Sequence, residues 1–243
     1  MKTIDFKTIS FPGKDKSNED YILCHKLSHN SIIAILADGM GGLSFGAEAA
    51  KIVSESIMTT ALDKIQHNLP ADVLRMAFNA ADSAIYGKCR DLKCKMGAAV
   101  TVALVIDDSL YYAWQGNVRL YKVHANEVML LTTDHVVADA DGTFLTRCVN
   151  GKGFRENIPV IYEELKNTDK IFICSDGYYR HVHLTELSRN VTVNFKEGAS
   201  DDYSLIEIYF TAFPQTGDSG SRIASVCAVS VYWRHGSAAC SFL

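Results

Sequence analysis

Residues Ser31–Gly42 read SIIAILADGMGG, an apolar run that ends abruptly in a carboxylate flanked by glycines. Ile32, Ile33, Ala34, Ile35 and Leu36 form a short continuous apolar stretch with three β-branched members, the pattern of a strand buried on both faces. Asp38 falls at the end of that strand. Gly39, Gly41 and Gly42 allow a ligand to approach the main chain closely. A carboxylate held on a rigid strand beside open backbone carbonyls suits a hard cation that takes oxygen ligands. A plain Asp-Gly turn accounts for the same residues with no ligand at all, so the reading depends on whether other carboxylates reach the same point.

Composition sets the bounds. The 243 residues are 48% hydrophobic and 21% charged, enough apolar material for a sizeable core, with one large domain or two small ones both allowed. The net charge of −4, with Lys and Arg scattered rather than in a run, gives no reason to expect a nucleic-acid partner. Seven cysteines, an odd number without paired CxxC spacing, point to reduced thiols in a cytoplasm rather than a disulfide framework or a zinc site. The start, MKTIDFKTIS, lacks the apolar stretch of a signal peptide, and no run of about 18 apolar residues would span a membrane.

Working outward, Thr3 to Ser10 alternate loosely as an edge strand would, and Asn18-Glu19-Asp20 lead into a second strand, Tyr21 to His25. Successive side chains of a strand point to opposite faces, so only one of Glu19 and Asp20 can aim into any given site. The turn His29-Asn30 predicts a hairpin joining this strand to Ser31–Gly42. Apolar residues then recur at helical spacing over Phe45 to Leu62 and again over Ala71 to Cys89, with Pro70 suited to the first turn of the second helix. Two consecutive helices without a strand between them predict a helix pair on one face of a sheet. From Gly97 to Leu131, β-rich runs separated by short turns predict an antiparallel meander. His135 reads as a loop histidine bonded to the backbone, because no second His stands at metal-binding spacing. From His135 to Pro159 only Leu145-Thr146-Arg147 looks regular.

Lys170 to Cys174 then repeats the opening feature: a short apolar run, followed by Ser175-Asp176-Gly177. A short helix or turn is expected from Leu184 to Leu187, and Asp201-Asp202 precede a strand that runs to Phe210. Four predicted strand ends thus carry acidic residues: Glu19-Asp20, Asp38, Asp176 and Asp201-Asp202. Clustered carboxylates repel one another and persist together when cations neutralise them. Oxygen-only donors favour Mg²⁺ or Mn²⁺ over zinc. Two such ions sharing a carboxylate can bind a phosphate ester and lower the pKa of a bridging water that attacks phosphorus.

The order of these pieces resembles the metal-dependent protein serine/threonine phosphatases of the 2C type in their compact bacterial form. The resemblance runs from about Phe6 to Phe210 and rests on Asn18-Glu19-Asp20, Asp38-Gly39-Met40-Gly41-Gly42, the Gly97 to Thr101 strand, Gly116 to Tyr121, Leu131 to His135, Leu145-Thr146-Arg147, Cys174 to Gly177 and Asp201 to Ser204. It implies an α+β fold, a four-layer α-β-β-α sandwich of two antiparallel sheets flanked by helix pairs, with residues 1–210 as catalytic domain and 211–243 as a C-terminal extension. It implies a hydrolase of phosphoserine and phosphothreonine in phosphorylated proteins, opposing a serine/threonine kinase in bacterial signalling, cytoplasmic and monomeric. Two Mn²⁺ or Mg²⁺ ions are implied. Asp38 would bridge them and the Gly39 carbonyl would ligate one; Asp176 and Asp201 would complete one shell, Glu19 would lie beside the other ion, and Asp20 would hold metal-bound water. Asp38 and Asp176 are the implied catalytic carboxylates, and the nucleophile would be a bridging hydroxide with no covalent phosphoenzyme.

Three positions depart from the family pattern. Asn117 stands where many relatives carry an Asp that helps to bind a third ion, so the implication extends to two ions only. Asp15 stands where an Arg usually holds the substrate phosphate; Lys14 and Lys16 beside it could supply that charge without bidentate geometry. Met40 stands where animal relatives have a His, so leaving-group protonation would fall to metal-bound water. A weakened regulatory or binding protein on the same fold, and a hydrolase of small phosphate esters, are the competing readings. The tail beyond Phe210, including an apolar stretch from Ile223 to Trp233, has no assigned role.

Overall fold

The computed structural model describes residues 2–14, 16–40, 45–139, 142–182 and 200–212, all within one compact unit, Met1–Phe213. The elements in chain order are β1 (Lys2–Phe11), β2 (Asp20–Ser28), β3 (Ser31–Gly39), α1 (Gly46–Lys64), α2 (Pro70–Leu92), β4 (Ala98–Ile106), β5 (Ser109–Gln115), β6 (Arg119–His124), β7 (Glu127–Leu130), β8 (Val136–Asp139), β9 (Gly142–Leu145), β10 (Ile161–Glu164), β11 (Lys170–Cys174), α3 (Asp176–Tyr179) and β12 (Tyr203–Ala212). They build two five-stranded antiparallel sheets, ordered β10-β5-β4-β3-β2 and β1-β12-β11-β6-β7. This is the expected α+β sandwich. β1 takes the predicted edge position, and β2 and β3 pair as the predicted hairpin.

The opening stretch is buried on both faces, as its unbroken apolar run requires. Ile33, Ile35 and Ala37 of β3 pack against Ala49, Val53 and Ile57 of α1 and Leu74, Phe78 and Ile85 of α2. Their neighbours Ile32, Ala34 and Leu36 point the other way, into the space between the sheets, where they meet Ile171 and Ile173 of β11 and Ile206 and Ile208 of β12. Each fully buried Ile or Leu of this kind contributes about 1.5–3 kcal/mol, so both the helix layer and the sheet-on-sheet layer are firmly held. The helix pair is bounded by the expected signals. Pro70 opens α2, and Lys93 closes it in the left-handed conformation. Among the described residues the outer face of the second sheet carries a third apolar cluster, Tyr121, Phe172, Cys174 and Leu205, covered by Tyr178 of α3 and by Val182. The short helix expected from Leu184 and the stretch from Ile223 lie outside the described residues.

Two expectations are corrected. The run from Gly97 to Leu131 is not one meander, because β4-β5 belong to the first sheet and β6-β7 to the second. The chain crosses between sheets at Gly116, whose φ of +111° is closed to most side chains, and a Cβ there would strike Ala99. The Thr101 hydroxyl pins the crossing by donating to the Val118 carbonyl at 2.6 Å. The second correction concerns His135 to Pro159, where the regular piece is the hairpin β8-β9, which ends at Leu145 rather than beginning there. Its strands are only four residues each and largely exposed, too short for a period-2 signal to stand out. His135 behaves as expected: its Nδ1 accepts from the Gly116 N–H at 3.2 Å, and its ring stacks on Trp114.

Candidate active site

The alternation that buries β3 also determines where its carboxylate points. Asp38 has the same parity as Ile32, Ala34 and Leu36, so it faces the space between the sheets, at the open end of the sandwich. Asp20 of β2 and Ala99 of β4 stand directly opposite Asp38 on either side, and residues opposite one another in antiparallel strands share a face. The result is a row of two carboxylates and one small residue. From the other sheet, Ser175 and Ser204 arrive where β11 and β12 begin to separate, joined by the Ser175 N–H donating to the Ser204 carbonyl at 3.1 Å. Asp176 opens α3 immediately after, and Asp201 and Asp202 precede β12.

Asp38, Ala99, Asp176, Asp201 and Asp202 line one cavity of about 480 Å³, together with Lys16, Glu19, Gly39, Met40, Asn117 and Arg180, with Val136 and Thr143 to Leu145 of the β8-β9 hairpin along one wall. Glu19, Asp38, Gly39, Asp176, Asp201 and Lys16 therefore come together as their sequence positions suggested. Asp20 lies deeper, against Ser175 and Ser204. Lys14 does not line the cavity. Among the described residues no three His, Cys, Asp or Glu side chains already stand at ligating distance from one point.

Several glycines make this convergence possible. A Cβ on Gly39 would strike the backbone of Gly46 at the start of α1, and a Cβ on Gly46 would strike the Glu19 carboxylate. A Cβ on Gly177 would strike the carbonyl of Asp202. Three backbone segments thus approach more closely than side chains would permit. The loop ahead of β2 is held by Asp202, whose two oxygens accept from the Gly13 and Glu19 N–H groups, each at 2.8 Å. Asp202 acts as a clamp that positions Lys16 and Glu19. On the far side, Arg119 forms a forked pair with Asp134 at 2.8–3.2 Å and lies 3.8 Å over the ring of Tyr179. The Tyr179 hydroxyl donates to the Asn117 carbonyl at 3.1 Å, which fixes the crossing loop beside the cavity. A third acid works at a distance: Asp82 of α2 accepts from the N–H groups of Asn150, Gly151 and Gly153 and so holds the chain after Cys148 against the helix.

The electrostatics are those of crowded anions. Asp20 is 8% exposed, and neither of its oxygens meets a hydrogen-bond donor in good geometry. Burial pushes its pKa up to about 7, with the nearby Ser204 and Ser175 hydroxyls opposing and Asp202 and Asp176 adding to the rise. The Ser175 Oγ also accepts from the Ser204 N–H, and the Ser204 hydroxyl donates to Ser10, each at 2.9 Å. Asp38 is pushed well above the ordinary carboxylate range by burial and then by Asp20, Asp176, Asp201 and Asp202. Burial also raises Glu19 and Asp176. Asp201 goes the other way: burial would raise it, but the bond and charge of Lys16 outweigh that and lower it. Two cations offset part of the negative charge. Lys16 Nζ lies 2.5 Å from Asp201 and 3.3 Å from Asp202, and Arg180 lies 2.9 Å from Asp176. Arg180 went unnoticed in the sequence, although its place four residues after Asp176 on a helix puts the two on one face.

A buried carboxylate without a hydrogen-bond donor calls for a cation, and an all-oxygen donor set suits Mn²⁺ or Mg²⁺. The residues present therefore fit the implied metals. The two-sheet sandwich superposes on solved bacterial serine/threonine phosphatases. The Mycobacterium tuberculosis phosphatase PstP/Ppp superposes with a TM-score of 0.69 at 20% identity, covering 85% of this chain and 98% of that one. A catalytic domain of PstP in complex with 2 manganese ions superposes with a TM-score of 0.68, also at 20% identity, covering 87% of this chain and 100% of that one. In sequence, a protein of Streptococcus pyogenes serotype M6 described as a putative protein phosphatase 2C-type is 31% identical over 130 residues. That match takes in 50% of this chain and 51% of the streptococcal protein, about half the length of each. A putative protein phosphatase of Mycoplasma genitalium is 21% identical over 210 residues, 74% of this chain and 79% of that protein. The family Protein phosphatase 2C matches residues 12–203, and the chain belongs to it.

Proposed function

We propose that this chain is a metal-dependent phosphoprotein phosphatase that hydrolyses phosphoserine and phosphothreonine, with residues 1–210 as the catalytic domain. Asp38 would stand between two divalent cations, Mn²⁺ or Mg²⁺, with the Gly39 carbonyl on one. Asp176 and Asp201 would complete one shell, and Glu19 would lie beside the other ion. When bound, the ions would supply the nucleophile by lowering the pKa of a water held between them and would neutralise the ester's charge. The observation that carries this reading is the convergence of Glu19, Asp38, Asp176, Asp201 and Asp202 on one cavity, with the buried carboxylate of Asp20 directly opposite Asp38.

The chain's own residues do the rest. Asp202 holds the loop that presents Glu19 and Lys16. Asn117 donates to Asp176 at 3.1 Å and so orients that carboxylate instead of adding a ligand, which fits two ions rather than three. Lys16 and Arg180 are the cationic side chains on the cavity wall able to attract a phosphoryl group. Met40 brings no acid to the leaving group. The setting we propose is cytoplasmic and monomeric, opposite a serine/threonine kinase.

Manganese-dependent hydrolysis of p-nitrophenyl phosphate and of phosphopeptides, set against an Asp38→Asn control, tests the proposal. Turnover well above the control is expected. Turnover equal to it at saturating Mn²⁺ leaves only a binding or regulatory role on this fold. Rates on phosphopeptides no better than on small phosphometabolites move the assignment to small phosphate esters.

A further inference from the structure

Among the described residues, the two cationic side chains at the cavity are paired with residues proposed above as ligands, or lie next to them. Lys16 is the more telling. Its Nζ is 2.5 Å from Asp201 Oδ1 and 3.3 Å from Asp202 Oδ2, and its stem crosses the face of Gly13, where a Cβ would collide with Lys16 Cε. Asp202 also holds the backbone on both sides of Lys16, at Gly13 and at Glu19. The loop is thus fastened at two points, and the lysine side chain between them is held at its tip by Asp201 and Asp202. Among the described residues Lys16 is the one ion-pair partner of Asp201, whereas Asp176 is shared between Arg180 and Asn117.

An ammonium and a divalent cation cannot use the same carboxylate oxygen at full strength. We infer that Lys16 is a built-in counter-ion of this site: it holds Asp201 while no metal is bound and is displaced from Asp201 when a divalent cation binds. The inference rests on the reading of Asp201 as a ligand. The ammonium offsets part of the repulsion among the five acidic side chains that line the cavity, Glu19, Asp38, Asp176, Asp201 and Asp202, before any metal arrives. Two unit charges at contact in a half-exposed site attract by up to about 1 kcal/mol net, enough to matter and small enough for a dication to overcome. A lysine suits this better than an arginine, because a compact point charge on a flexible stem lets go more readily than a forked guanidinium. Once displaced from Asp201, the ammonium stays at the cavity wall beside Asp202, where a phosphoryl oxygen offers a replacement for the lost partner. Metal binding would then precede and prepare the grip on an anion.

Calorimetric titration of Mn²⁺ into the full chain, comparing wild type with Lys16→Met, tests the inference. Removing the competitor should tighten Mn²⁺ binding by up to about fivefold and should lower the melting temperature in EDTA, with the melting difference shrinking at saturating Mn²⁺. Lys16→Gln, which keeps reach and polarity without charge, should tighten binding in the same sense and gives the same reading if Lys16→Met does not fold. Lys16→Arg should bind no more tightly than wild type. Affinity in the uncharged variants equal to or weaker than wild type overturns the inference, because Lys16 would then organise Asp201 for the metal rather than compete with it. Tighter binding in a chain that hydrolyses no phosphate ester would uphold the lysine's role while removing the phosphatase reading. No Mn²⁺ binding by wild type would overturn both.

Discussion

Replacing Asp20 with Asn should stabilise the metal-free protein at pH 8 and give it no advantage at pH 4. Asp20 is buried with both oxygens lacking a donor, and burial raises its pKa from 3.8 to about 7. The folded state therefore holds this proton more tightly than the unfolded state does. Its contribution to stability is complete below the unfolded value and is lost as the pH rises through about 7. A rise of about three units, at about 1.4 kcal/mol per unit, amounts to roughly 4 kcal/mol lost by pH 8. An amide escapes that loss but leaves polar atoms to satisfy, at about 1–3 kcal/mol. The expected net gain is about 1–3 kcal/mol at pH 8, from the same two principles. Urea unfolding of both proteins in EDTA from pH 4 to pH 8, read as midpoints at equal slopes, measures it. Parallel pH profiles for wild type and variant would refute the reasoning, because Asp20 would then not carry the penalty.

Asp202→Ala removes two charge-assisted bonds to the Gly13 and Glu19 N–H groups and should cost about 3 kcal/mol, with faster hydrogen exchange at those two amides; unchanged exchange would mean that the clamp is unnecessary. Asp202→Asn keeps one acceptor and should lose less. Gly39→Ala forces a Cβ against the Gly46 backbone and should cost about 1–3 kcal/mol, seen as a lower melting temperature; an unaltered melt would contradict the close approach of β3 and α1. Asp176→Asn and Asp201→Asn should each weaken Mn²⁺ binding by roughly tenfold or more in calorimetry, and unchanged affinity in either would remove that residue from the shell.

The parts legible in the sequence were those with a strong local period. The unbroken apolar run of β3, the helix pair and the repeated strand-then-Asp-Gly at Asp38 and Asp176 all stood out, because burial on both faces leaves no room for polar residues. The convergence of the acids followed from strand ends, and β2-β3 and β11-β12 do bring them to one end of the sandwich. What the sequence hid was tertiary. Nothing local says that the chain changes sheets at Gly116, since a crossing and a hairpin both use a glycine. The β8-β9 hairpin is short and exposed, so its wall of the cavity carried no hydrophobic signature. Asp202 looked like a second acid beside Asp201 but bonds backbone N–H groups instead. Strand alternation predicts that only one of Glu19 and Asp20 aims into the site, yet both are near it, because Glu19 lies in the loop ahead of β2 and lines the cavity while Asp20, the first residue of β2, stands opposite Asp38. Lys16 was marked as a positive charge for phosphate; its partner in the structure is Asp201.

The most direct test of the account is anomalous diffraction at the manganese edge from crystals of this protein grown with Mn²⁺. The account predicts two peaks in the cavity, with Asp38 between them and Asp176 and Asp201 on one. Saturating Mn²⁺ with no peak at Asp38, or with manganese bound only outside the cavity, would contradict it.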